Sequence, residues 1–251
     1  MSAYTVLLRL YPSDHPRDEM LGVLEENGRP WWREAPSLIA GAVRARTGEG
    51  QPPSLRWLYA ARAAALMLLV AGTTTPLIDL HYGVELRTGM TVATWICAGL
   101  AAVAVMAGVR LVALGLTAAA LVLSGMDQIS TVAIAGYTLA AVLLLLPGRR
   151  LRVLNPLPVL LALSWSLDYT LPAVLRTALV VAVILWTVID ERILLAAGLA
   201  LFAGLITAST EVAEVGDTRG LLIMAAWHLA LPATLVAIAA LLTQRRTRFL
   251  G

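Results

Sequence analysis

Apolar residues crowd into long runs between residues 58 and 242, and polar residues collect between the runs instead of alternating within them. A helix crossing the hydrocarbon core needs about 20 mainly apolar residues, within a range of about 17 to 25. Runs of this kind lie at roughly 58–78, 90–109, 111–125, 129–146, 155–168, 171–189, 193–209 and 220–242. The pattern predicts an all-α, polytopic helical membrane protein with about eight transmembrane helices. The runs at 111–125 and 155–168 are short, which suits re-entrant segments or locally thinned lipid. Three regions follow: a cytoplasmic or interfacial helical segment at 1–56, a transmembrane bundle at 57–244 and a basic cytoplasmic tail at 245–251.

The opening segment has the helical period of a soluble or interfacial protein. In "PSDHPRDEMLGVLEENG", Ser13 or Asp14 is placed to cap, Pro16 suits the first turn, and Asp18 and Glu19 complement the positive end of the helix dipole. Met20, Leu21, Val23 and Leu24 form the expected apolar face, and Asn27-Gly28 is the stop. A second helix is expected from Pro36, through "PSLIAGAVRARTG", with Leu38, Ile39, Ala42 and Val43 on one face and Arg44 and Arg46 near its polar edge. Trp31 and Trp32 suit the headgroup region and the arginines suit anionic lipid, so this helix is expected to rest on the inner leaflet. Met20, Leu21, Leu24, Trp31, Trp32, Arg44 and Arg46 are the candidates for docking lipid or a partner; covering the bottom of the bundle is the plainer role for both helices. Residues 1–10 lack a cationic start and a small-residue cleavage site, so the N-terminus is expected to be retained.

Charge sets the orientation. All nineteen basic residues are Arg. With eight spans and the N-terminus inside, sixteen of them fall on the cytoplasmic side and only Arg87, Arg176 and Arg219 outside. Arginine in short loops is retained in the cytoplasm, so both termini are placed there, at the plasma (inner) membrane. A mean hydropathy of +0.79 agrees with this class. The pI near 9.4 does not point to nucleic acid, because the arginines follow the membrane-flanking loops and do not share one soluble face.

The "LLRLYP" start, an Arg, an acidic position and "EMLGVLEENG" together resemble the N-terminal prefix of macrolide-exporter-type ABC permeases. They also resemble the start of actinobacterial polytopic membrane proteins that accompany ABC exporters or small regulators. The likeness covers roughly residues 4–28 and continues more weakly through "REAPSLIAGAVRAR". "HPRDEM" stands where the prefix usually has an aromatic-Gly pair, and no large extracytoplasmic domain follows. The resemblance implies association with an ABC-type export system, with a separate ABC ATPase or a cytoplasmic regulator as partner.

Chemistry inside the apolar runs is sparse. Ionisable groups at membrane depth are functional candidates, and His228, Arg176 and Asp168 are the candidates for a substrate path. A neutral His228 buried in the bundle and snorkelling of Arg176 to the headgroups are the plainer readings. Arg62 is close enough to the inner surface to snorkel as well. Pro232 predicts a kink beside His228, and Thr73, Thr74 and Thr75 are expected to relieve a break at Pro76. Asp79 and His81 make only two metal ligands, and the single Cys97 sits in an apolar run, so no metal site, disulfide or cofactor is expected. There is no Gly-x-x-x-x-Gly-Lys loop, HExxH or GxSxG, and no catalytic residue is assigned. A non-enzymatic accessory or permease-like subunit is the leading expectation. A self-contained secondary transporter, or a sensor holding a cytoplasmic regulator, are the alternatives.

Overall fold

A computed structural model describes residues 3–11, 16–46, 53–81, 88–127, 131–148, 151–153, 155–166, 190–207 and 218–249, with residues 172, 174, 175, 177, 178 and 181. Among the described residues the fold is all-α, with no strand. The chain divides into two compact units. One comprises Met1–Pro53 with Val188–Asp190, and the other Ser54–Thr187 with Glu191–Gly251.

The first unit holds α1 (Ala3–Leu8), α2 (Arg17–Glu26) and α3 (Trp31–Arg46). Six residues are too few to hold a helix alone. α1 forms by burying Tyr4 and Leu8, one turn apart, against its neighbours. Tyr4 Oη donates to the Arg29 carbonyl at 2.5 Å, and an Arg17 Nη donates to the Tyr11 carbonyl. Leu8, Tyr11 and Ala42 make the core, with Met20, Leu21, Leu24 and Ala45 packed around it. Val23 turns outward instead of sharing that face.

α2 has Pro16 as its N-cap, without a side-chain cap, so the proline sits one place before the first turn; Ser13 and Asp14 lie outside the described residues. Its stop is as the sequence predicts, since Gly28 takes φ +60° and donates to the Glu25 carbonyl. α3 begins five residues before its expected start. The Pro30 carbonyl accepts the Arg33 N–H at 3.0 Å and opens the helix, leaving Pro36 inside it. Pro36 cannot donate to the Trp32 carbonyl, but both residues are exposed and that carbonyl can be solvated. Leu38 and Ala42 are buried, whereas Ile39 is exposed.

The second unit is built on α4 (Pro53–His81), followed by α5 (Thr88–Ala107), α6 (Arg110–Asp127), α7 (Thr131–Leu145), α8 (Leu157–Ser166), α9 (Glu191–Leu201) and α10 (Thr218–Phe249). Two of these helices are long and apolar enough to cross a membrane, Leu55–Thr74 in α4 and Gly89–Ala107 in α5. Shorter apolar helical stretches span Arg110–Met126, Thr131–Leu145 and His228–Leu242. The expected run at 155–168 gives the ten-residue α8, and most of 171–189 lies outside the described residues.

Small side chains set the packing, as expected where backbones approach closely. Ala60, Ala63, Ala64 and Ala65 are fully buried in α4. Antiparallel to α4, α7 presents Gly136 to the Leu68 carbonyl and seats Tyr137 on Gly72. α9 and α10 run antiparallel, with Gly198 against Pro232 and Val236, and Gly204 beside His228. α5 turns into α6 at Gly108, whose φ of +77° suits glycine. There Gly108 N–H donates to Val105 O at 3.0 Å and Val109 N–H to Ala104 O at 2.9 Å, the paired bonds of a Schellman stop.

α4 continues through Pro76 to His81, so the predicted break does not occur. Thr73 and Thr74 do bond to backbone carbonyls, those of Val70 and Ala71, at 2.7 to 3.1 Å.

Tyr137 is fully buried and its hydroxyl has no hydrogen-bond partner among the described residues. A buried hydroxyl without a partner costs about 1–3 kcal/mol. Tyr137→Phe is therefore expected to stabilise the protein by about 1 kcal/mol, read as a rise in unfolding temperature in detergent. A fall would mean that the hydroxyl is bonded, for instance to a buried water.

Candidate functional site

The ends of several helices meet on one side of the second unit, and arginines mark that side. On α4, Arg56, Tyr59 and Arg62 follow at intervals of three and so share a face. Arg56 lies 3.7 Å from Glu191 at the start of α9, with both side chains largely buried. Arg192 stacks over the Tyr59 ring, its guanidinium carbon 4.5 Å from the centroid. These pairings tie the start of α4 to the start of α9.

One turn deeper, Arg62 is only 4% exposed. Its Nη1 donates to the Leu144 carbonyl and its Nη2 to the Leu146 carbonyl, each at 3.1 Å. Arg110, the first residue of α6, donates from Nη2 to the Leu145 carbonyl at 3.4 Å. Three successive carbonyls at the C-terminus of α7 thus receive two guanidinium groups, where helix carbonyls lack partners and the dipole is negative. Hydrogen bonds involving a charged group each contribute about 1.5–3 kcal/mol. Arg62 therefore acts as a cap for α7, and the snorkelling expected of it is replaced by an inward turn.

Between these groups lies a cavity of about 30 Å³, lined by Arg62, Gly108, Arg110, Leu144, Gly148 and Leu151. Room for about two waters is implied by that volume. A Cβ placed on Gly108 would lie 3.1 Å from the Leu151 carbonyl and 3.3 Å from Arg152 Cγ, so the 151–153 segment closes over the α5–α6 turn. Among the described side chains of this unit Glu191 is the only carboxylate.

The residues singled out from the sequence fall elsewhere. His228 is exposed on α10 beside Gly204, so it is not the histidine buried in the bundle that the apolar run suggests. Arg176 and Asp168 lie outside the described residues. In the first unit, Met20, Leu21 and Leu24 turn inward as packing, while Trp31 and Trp32 are 50% and 57% exposed. Arg33 lies 5.1 Å from the centroid of the Trp32 ring. The side chains of Arg44 and Arg46 are outside the described ones. Among the described residues no three His, Cys, Asp or Glu side chains gather to hold a metal, and Cys97 is half-buried.

The Arg62 cap leaves only a faint mark in the sequence. Its signal is the 56, 59, 62 spacing combined with the "LLLLPG" helix end. Comparison with protein-family models, curated proteins and solved structures finds no match to this chain.

Proposed function

We propose that this chain is a non-enzymatic, polytopic subunit of the plasma membrane, with about eight crossings and both termini in the cytoplasm, serving an ABC-type export system as an accessory or permease-like component. The observation that carries the reading is the gathering of Arg56, Arg62, Arg110, Arg152 and Arg192 at one end of the helical unit. A membrane-embedded bundle keeps such an end in the cytoplasm. Its outward surface supports the same reading, since Ile96, Val103, Leu111, Val122, Leu222 and Ile223 are all more than half exposed, as lipid-facing residues are.

The first unit supplies the docking surface in this proposal. Trp32, Pro36 and Ile39 are exposed at helical spacing on α3, turned away from the buried Leu38 and Ala42. The partner indicated by the prefix resemblance is a separate ATPase, in keeping with a chain that has no phosphate-binding loop of its own. Purification of the whole protein from native membranes is expected to bring down an ABC ATPase. The Trp32→Ala, Ile39→Ala double variant is expected to lose at least about tenfold of it, as two exposed apolar anchors contribute about 1–2 kcal/mol or more at an interface. Its own yield and helicity should be unchanged, because neither side chain is buried. Recovery of the wild-type protein alone, or equal ATPase recovery with the double variant, would count against the proposal. A topology tag at either terminus that is reachable from outside intact cells would count against the orientation.

A further inference from the structure

The cavity at the arginine end has the chemistry of an anion site. Arg62 and Arg110 both line it, and neither has a carboxylate partner among the described residues, Glu191 being engaged by Arg56. A guanidinium carries five N–H donors. Arg62 directs one donor from each Nη to a carbonyl, and Arg110 holds one long bond of 3.4 Å while its Nε is buried without a partner among the described residues. Two positive charges therefore face the partial negative charge of one helix end, leaving a positive excess. Arg110 also opens α6, where the first backbone N–H groups have no partner within the helix. Gly108 and Gly148 line the wall without a Cβ, and the exposed Gly148 marks the open side. Arg152 passes beside Gly108 and adds a third positive charge nearby.

We infer that this cavity binds a phosphate group, entering past Gly148 and held by the free donors of Arg110 and Arg62. Space for about two waters admits two oxygens of a phosphate group while the rest of the group stays on the open Gly148 side, and planar guanidinium donors suit paired phosphate oxygens. The inference rests on the membrane reading insofar as the phosphate belongs to an anionic phospholipid of the inner leaflet; a free phosphate offers the same chemistry.

The experiment uses the full chain in detergent, with native mass spectrometry and thermal unfolding in the presence of phosphatidylglycerol, phosphatidylcholine or millimolar inorganic phosphate. Phosphatidylglycerol is expected to be retained at least about tenfold better than phosphatidylcholine and to raise the unfolding temperature; Arg110→Gln is expected to remove most of that preference, since a charge-assisted bond is about twice as strong as a neutral one. Arg110 is partly exposed and its bond is long, so the variant should fold normally without lipid. Arg219→Gln, at the opposite end of α10, should keep the full preference. If inorganic phosphate stabilises the wild type but not Arg110→Gln, the site stands with free phosphate as its ligand. Equal retention of the two lipids with no effect of phosphate, or unchanged behaviour of Arg110→Gln, overturns the inference. An alkaline carbonate wash separates the two readings. Protein that stays in the membrane but shows no anion preference removes the site alone, whereas protein that washes off removes the membrane reading and the lipid ligand with it.

Discussion

Arg62→Met is expected to destabilise the protein by about 3 kcal/mol, because it removes two charge-assisted bonds and leaves the Leu144 and Leu146 carbonyls without donors. Methionine fills much of the volume of the arginine stem, so the loss would report the guanidinium and not a void. For a chain of this size, 1 kcal/mol corresponds to roughly 2–4 °C, so the unfolding temperature in detergent should fall by about 10 °C. Arg62→Lys should recover only part of it, as one ammonium cannot reproduce a fork that reaches two carbonyls. An Arg62→Met protein unfolding within a degree of the wild type would show that α7 does not depend on this cap.

Gly72→Leu is expected to have the second large effect. A Cβ at Gly72 would lie 2.6 to 2.8 Å from three atoms of the Tyr137 side chain, which is itself fully buried and has nowhere to swing. Even the Ala variant overpacks this contact, at about 1–3 kcal/mol, and the Leu variant should yield little monodisperse protein on size exclusion. The pair can be tested as a cycle. Tyr137→Leu should rescue Gly72→Ala by about 1 kcal/mol or more if the two residues meet as described. Absence of any rescue would mean that α4 and α7 do not cross there.

The sequence revealed most where a long run had only one structural solution. The apolar stretches from 90 and 111 become α5 and α6, and Asn27-Gly28 ends α2 as predicted. It was least informative about rotation. A helix that is apolar all round gives depth but not direction, so the sequence alone points Arg62 to the surface and His228 inward. Both are reversed in the structure. The start of α3 differs from its expected place because Pro36 has the signature of a first turn, whereas Pro30 provides the opening carbonyl. α1 has no signature in the sequence, since its stability comes from burying Tyr4 and Leu8 and not from any local repeat. The cavity is invisible in the sequence for a related reason: its walls come from three separate stretches of chain, around 62, 105–110 and 144–151, and no local spacing records their meeting.

The Arg62 cap also bears on how the chain is made. Its two acceptors lie 82 and 84 residues later in the sequence. At a synthesis rate of about 5–20 residues per second, Arg62 emerges roughly 4 to 17 seconds before they do. Through that interval a positive side chain in an apolar nascent helix has no native acceptor, so it must stay hydrated until the end of α7 has been made.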